Sequence, residues 1–205
     1  MTDSNRHILR SAGIIGTNTL VSRVLGYVRD RVVAHLLGTS VMADAFYAIF
    51  RLPNTFRRLM GEGALTAAVV PVFTEARERI NEEAGWTLAN RLFFVVALIL
   101  AGITLVGVVF SAQVIAATGF AAQGDAAAFA EAVNLNRIIF PYIFFICLAA
   151  LAQALLNSVG VFGPSAFTPV LLNLSMIAAA LLWGRFSSEP ARALAWGVLV
   201  GGALQ

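Results

Sequence analysis

The chain has 205 residues, of which 59% are hydrophobic and 12% are charged, and its formal net charge is +3. Soluble globular domains average about 45–50% apolar and about 25% charged residues, so the composition excludes an ordinary soluble domain. It indicates an integral membrane protein, whose structural units are membrane-spanning helices. All 14 basic residues are arginine, whose guanidinium group stays charged and binds phosphate or carboxylate through two hydrogen bonds.

The N-terminus is polar, and the apolar segment behind it lacks the cleavage pattern of a signal peptide. The first span is therefore expected to remain in the mature protein. Arginines flank one set of predicted loops, at Arg6 and Arg10 and again at Arg77, Arg79 and Arg91. Since basic residues concentrate in cytoplasmic loops, this pattern predicts a cytoplasmic N-terminus.

Two helices are predicted before the first long uncharged stretch, over residues 11–37 and 41–73, with a turn at Gly38. Both contain charged residues, although one charge at the bilayer centre costs on the order of 2.5–3.5 kcal/mol. These residues are Arg23, Arg29, Asp30, Arg31, Asp44, Arg51, Arg57, Arg58 and Glu62. We expect such side chains to face protein, water or a ligand instead of lipid.

The remaining spans lie in stretches without charge. Residues 138–184 would extend about 70 Å as a single helix, more than twice the hydrocarbon thickness, so this stretch must fold back on itself. The segment NSVGVFGPSAFTP supplies the turn. The four predicted spans are residues 92–118, 138–156, 166–184 and 191–205. Because the last is too short to cross a membrane, we expect the natural protein to continue.

The charges of the second helix form a pattern. At 100° per residue, Asp44, Arg51, Arg58 and Glu62 fall within about 40° of one another around a straight helix. This polar stripe is expected to face a water-filled cavity. Pro53 lies within the helix and can kink it, which would shift the phase of the stripe.

In the first helix, Arg23 and Asp30 share a face, and Arg29 lies about 120° away. Leaving Arg31 aside, the other five arginines listed for the two helices stand against three acids, so ion pairing would leave surplus positive charge that attracts an anion. Two other interpretations stay open. The charges could be buried ion pairs, such as Arg23 with Asp30 or Arg58 with Glu62, that only fix helix packing, or the acids could relay protons.

Enzyme chemistry has little support in this sequence. His7 and His35 are isolated from other metal ligands, and no nucleophile accompanies a base. The single cysteine, Cys147, lies in an apolar run and is expected to pack as a small hydrophobic residue. We expect a protein that is not an enzyme, with no cofactor, no metal site and no nucleic-acid partner.

Three stretches carry a family resemblance. They are SRVLGYVRD at residues 22–30, ADAFYAIFRLPNTFRRLMGEGALTAAVVPVF at residues 43–73 and FGPSAFTPVLLNLSMI at residues 162–177. They resemble the MurJ/MviN family of lipid II flippases, within the multidrug, oligosaccharidyl-lipid and polysaccharide (MOP) exporter superfamily. The resemblance covers essentially the whole chain and implies an all-α polytopic membrane protein, with six transmembrane helices forming the N-terminal lobe of such a transporter.

The resemblance also implies a function. A protein of this family would move lipid II, a lipid-linked peptidoglycan precursor, across the bacterial cytoplasmic (inner) membrane by alternating access for cell wall synthesis. Its partners would be the lipid-diphosphate substrate, membrane lipids and the missing C-terminal lobe of the same chain. A different exporter of the superfamily, for lipid-linked polysaccharides or drugs, and a non-transporting membrane scaffold are the alternatives.

In the family, a cationic cavity receives the diphosphate headgroup. The residues of this chain that match the family's functional positions or their neighbours are Arg23, Arg29, Asp30, Asp44, Arg57, Arg58 and Glu62. The resemblance assigns the cavity arginine of the second helix to Arg57, whereas the helical stripe favours Arg58. By the same resemblance, a further cavity arginine and the groove for the lipid tail lie beyond Gln205.

Overall fold

A computed structural model of the protein describes residues 3–61, 64–120 and 125–205. These described residues form α-helices joined by short turns, and they contain no strand. The helices are α1 (Asp3–Leu37), α2 (Val41–Gly61), α3 (Ala64–Arg79), α4 (Glu82–Val109), α5 (Ser111–Ala117), α6 (Ala126–Ile139), α7 (Tyr142–Ser158), α8 (Gly163–Leu182) and α9 (Pro190–Leu204). The protein is therefore all-α, as the sequence predicts.

Local chemistry explains where several helices begin. The side chain of Asn81 accepts a hydrogen bond from the backbone N–H of Ala84 at 2.7 Å and caps α4. Asp125 caps α6 in the same way. Pro190 occupies the first turn of α9, where its missing N–H leaves no partner unsatisfied. Between α1 and α2, Gly38 has a φ of 59°, a left-handed conformation that favours glycine.

The helices differ from their predicted boundaries in several places. Helix α1 begins at Asp3 instead of residue 11, and the span predicted over residues 138–156 is divided between α6 and α7. The helix predicted over residues 41–73 corresponds to α2 and α3, with residues 62 and 63 outside the described ranges. The helix predicted from residue 92 begins at Glu82, because the Asn81 cap starts α4 within the charged segment that precedes the apolar run.

Three helical segments among the described residues are long and apolar enough to cross a membrane: Glu82–Val109, Ala126–Ser158 and Gly163–Phe186. The segment Pro190–Leu204 is a shorter apolar helix. The charged helices α1 and α2 are not among these three, and the total of six spans stays a prediction. In α4, only 17% of the most apolar window is buried, so most of this apolar surface is exposed in the described structure.

The helices pack so that four of them surround one cavity. Helix α1 packs mainly on α8, which also packs on α9, and α2 packs on α7 and α6. Phe46 and Ile49 of α2 are fully buried in the same hydrophobic core as Leu135 of α6 and Ile143 of α7. This core fixes α2 beside α7, whereas α1 depends on α8 for its position.

Candidate functional site

The cavity between α1, α2, α7 and α8 has a volume of about 280 Å³ and holds three of the predicted binding residues. Arg23 and Arg29 reach it from α1, and Arg57 reaches it from α2. Among the described residues that line it, none is acidic. The lining is therefore cationic, and a concave cationic surface of this kind attracts anions.

Arg29 is the arginine whose surroundings are clearest. Its Nε and Nη2 donate hydrogen bonds to Oδ1 of Asp30 at 3.0 and 2.8 Å, and its Nη1 donates to Oδ1 of Asn173 at 2.8 Å. The Arg29 side chain is 21% exposed, whereas that of Asp30 is 61% exposed. Asp30 therefore holds the guanidinium from the solvent side and does not line the cavity.

Asn173 of α8 is a site residue that the sequence analysis missed. Its side chain is almost fully buried, and its Nδ2 donates to the backbone oxygen of Ser22 at 3.1 Å. A single amide thus connects Arg29 and the α1 backbone to α8. The available signal was a polar residue in an otherwise apolar span, within the third stretch of the family resemblance.

The other two cavity arginines differ from Arg29. Arg23 is exposed and forms no ion pair with the residues that the structure describes, so the alternative pair of Arg23 with Asp30 is absent there. Arg57 is half-buried, and it has an interaction partner. Arg57 follows Asn54 by one helical turn on the same face of α2, and both residues line the cavity.

The polar stripe of the second helix does not line this cavity. Asp44, Arg51 and Arg58 are all exposed and share one face of α2, but none of them lines the cavity. The face of Asn54 and Arg57 is the one that packs toward α7. Helical periodicity identifies which residues share a face, whereas the neighbouring helices determine where that face points. Glu62 lies outside the described residues.

Uncharged polar groups of α7, of α8 and of Gln205 lie at one wall of the cavity. Nε2 of Gln153 donates to Oγ1 of Thr168 at 3.0 Å, and Nε2 of Gln205 donates to the backbone oxygen of Thr168 at 3.1 Å. Tyr142 is fully buried at this wall, and its hydroxyl has no hydrogen-bond partner among the described residues. Oε1 of Gln205 likewise has none. These groups make this part of the lining polar without adding charge.

A second cavity, of about 450 Å³, adjoins the first. Arg57, Ala150 and Gln153 line both cavities, so these residues form a shared boundary. The second cavity is otherwise lined by Thr66 and Val70 of α3 and by residues near the end of α7. Within the described ranges, no cluster of His, Cys, Asp or Glu is arranged to hold a metal ion.

Comparison with known proteins places this fold in a family. The family model described as "Lipid II flippase MurJ" matches residues 33–205, which is most of the chain. The chain belongs to the MurJ family. A lipid II flippase MurJ of Burkholderia cenocepacia is 40% identical over 199 residues, which is 97% of this chain and 39% of that protein. The family resemblance that the sequence indicates is thereby confirmed.

Two further comparisons also show similarity between this chain and MurJ proteins. A protein of Haemophilus influenzae named "Probable lipid II flippase MurJ" is 42% identical over 91% of this chain. A solved MurJ structure in the inward closed conformation aligns with 93% of the chain, with a TM-score of 0.73 and 27% identity. The chain covers 40% of that structure and about 39% of the curated MurJ relatives. The chain therefore shares the fold of part of that MurJ structure.

Proposed function

We propose that the chain is the N-terminal lobe of a lipid II flippase, and that its three cavity arginines bind the diphosphate of the lipid-linked precursor. The complete protein moves this lipid from the inner to the outer leaflet of the bacterial cytoplasmic membrane by alternating access, with its N-terminus in the cytoplasm. It supplies precursor for peptidoglycan synthesis and acts as a transporter, not as an enzyme.

The observation that carries this proposal is the charge of the cavity. Three guanidinium groups reach one space from two helices, and no carboxylate is among the described residues that line it. A diphosphate offers several anionic oxygens at close spacing, and guanidinium groups bind such oxygens through pairs of hydrogen bonds. A cavity for a cationic drug would need the opposite charge, so the exporter of drugs is the weaker alternative.

A scaffold that only packs helices would need its charges neutralised within the protein. Arg29 meets this condition in part, through Asp30 and Asn173. Arg23 does not, since it has no ion-pair partner among the described residues while lining the same cavity. The surplus charge therefore favours ligand binding.

The test is Arg29→Ala in the full-length protein, expressed in a strain depleted of its own flippase. We expect loss of growth, because alanine lacks the guanidinium group of Arg29. Each hydrogen bond to a charged group contributes about 1.5–3 kcal/mol. Arg31→Ala is the matched control. Arg31 is two residues away on α1, is exposed near the ring of Tyr27 and lies outside the cavity, so growth should persist.

Membrane levels of both variants are measured by immunoblotting, so that lost growth is separated from lost protein. Binding of a polyprenyl diphosphate to the purified protein provides the second readout. Growth of the Arg29→Ala strain at wild-type protein levels, together with unchanged diphosphate binding, would contradict the proposed function.

A further inference from the structure

Helix α8 has an exposed apolar face that the cationic cavity does not explain. The exposed residues of this face recur at spacings of three, four and seven, which places them on one side of a helix, and they are Phe167, Leu174, Ala178 and Leu181. The opposite side of α8 carries the buried Leu172 and Met176, and the helix packs on α1 and α9. None of the exposed residues of this face lines the cavity.

In a membrane, this face contacts lipid. The segment Gly163–Phe186 is long and apolar enough to cross a bilayer, and the chain belongs to a family of membrane proteins. Leu174 and Leu181 are each nearly half exposed on it. An exposed apolar face on such a helix is covered by acyl chains within the hydrocarbon core.

A cation follows this face and keeps its charge. Arg185 lies in the 3₁₀ turn Gly184–Phe186 directly after α8, and its guanidinium carbon is 4.9 Å from the centre of the Phe186 ring. A cation–π contact holds a guanidinium group without cancelling its charge. Arg185 is exposed and forms no ion pair with the residues that the structure describes. Glu189, the acid nearest to it along the chain, is paired with Arg192 instead.

The aromatic residues beside Arg185 indicate its depth in the membrane. Trp183 and Phe186 are both exposed, and Trp183 immediately follows the last residue of α8. Tryptophan is enriched at the boundary between the hydrocarbon core and water, because its indole combines an apolar ring with an N–H donor. The apolar face therefore ends where the lipid headgroups begin, and Arg185 lies at the level of the lipid phosphates.

We propose that this face of α8, together with Trp183 and Arg185, binds an anionic glycerophospholipid of the membrane. One acyl chain lies along Leu174 and Leu181, and the guanidinium of Arg185 binds the phosphate through charge-assisted hydrogen bonds. A zwitterionic headgroup would bring its own cation beside Arg185, so a headgroup with net negative charge binds more tightly. This lipid site is separate from the proposed diphosphate site, because Arg185 does not line the cationic cavity.

The test reads lipid binding at this face alone. The full-length protein carries Ala178→Cys labelled with a fluorophore, its other reactive cysteines are replaced, and it is reconstituted in mixtures of brominated phosphatidylglycerol and phosphatidylcholine with the same acyl chains. Quenching by the bromine atoms gives the relative affinity of the two lipids at the label. We expect a preference of about fivefold for phosphatidylglycerol, which is the contribution of one basic residue at an anionic membrane surface.

Arg185→Gln in the labelled protein should remove this preference, and raised salt concentration should weaken it in the unchanged protein. Arg79→Gln is the matched control, because it removes the same charge from an exposed arginine of α3 that is paired with Glu75, and the preference should persist. A preference that survives Arg185→Gln, or equal affinity for the two lipids with Arg185 present, would overturn the proposal. Absence of quenching by either lipid would also overturn it, since lipid would then not cover this face.

Discussion

Two arginines of this chain, Arg29 and Arg192, have different surroundings. Arg192 of α9 donates through Nε and Nη2 to both carboxylate oxygens of Glu131, at 2.6 and 2.5 Å, and its Nη1 lies 2.5 Å from Oε2 of Glu189. Arg29 has one carboxylate partner, Asp30, and one neutral partner, Asn173. Arg192 is paired with two carboxylates, whereas Arg29 beside the cavity is paired with a single, exposed carboxylate.

This difference separates a structural cation from one that is available to a ligand. Two carboxylates leave Arg192 no net charge to offer, and its ion pairs connect α6 with α9 near the start of α9. An amide partner such as Asn173 orients a guanidinium without cancelling its charge. The identity of the partner, more than the number of hydrogen bonds, therefore distinguishes the two roles.

The largest expected effect comes from giving Arg29 a second carboxylate. Asn173→Asp keeps an acceptor for Arg29, removes the donor to the Ser22 backbone oxygen and places a negative charge in the cavity. We expect affinity for a polyprenyl diphosphate to fall at least about tenfold, because a charged partner is stronger than a neutral one and competes with the ligand. Titration of the full-length variant measures this.

Asn90→Asp is the control for that variant, because it makes the same chemical change on an exposed part of α4 away from the cationic cavity. Its affinity should match that of the unchanged protein. Unchanged affinity of the Asn173→Asp variant would show that the charge of Arg29 does not contribute to diphosphate binding.

A smaller effect is expected at the other arginine. Arg192→Gln removes both ion pairs, and since the Arg192 side chain is 36% exposed, solvent screening limits the loss of stability to about 1 kcal/mol. Diphosphate affinity should not change, because Arg192 does not line the cavity. A double-mutant cycle with Glu131→Gln, measured by thermal unfolding of the full-length protein in detergent, gives the coupling free energy between Arg192 and Glu131. A coupling free energy of zero would contradict the structural role assigned to Arg192.

Much of the fold could be predicted from the distribution of apolar residues alone. The uncharged stretches indicate helices, and the turn after Ser158 follows from Gly160, which has a φ of 81°. The start of α4 at Glu82 was missed because the Asn81 cap extends the helix into a charged segment. A cap depends on one side chain and is a weaker signal than twenty apolar residues.

For the candidate site, the sequence identified charged residues and missed neutral ones. Arg23, Arg29 and Arg57 stood out because a charge within a bilayer needs an explanation. Asn173 did not, although it contacts Arg29 across 144 positions of the chain. Placing an amide or hydroxyl side chain in a membrane span costs less free energy than placing a charged one. Such residues therefore do not stand out in the sequence, and their role is recognised only when the fold shows their partners. The orientation of the α2 stripe likewise depends on tertiary packing.

The smallest expected effect comes from neutralising Asp30, the carboxylate that is paired with Arg29 among the described residues. Asp30→Asn keeps an oxygen that accepts from Arg29 and eliminates the negative charge. Because the Asp30 side chain is 61% exposed, its charge is well screened, and diphosphate affinity should rise only about threefold. The gain in affinity should shrink as the salt concentration is raised, since exposed charges are screened within about 10 Å at 0.1 M ionic strength.

Glu75→Gln is the control for that variant, because it makes the same charge change at the exposed ion pair with Arg79 of α3 and should leave binding unaltered. A lower affinity for Asp30→Asn would mean that the carboxylate contributes to diphosphate binding by positioning Arg29, and that its charge is not a competitor of the ligand.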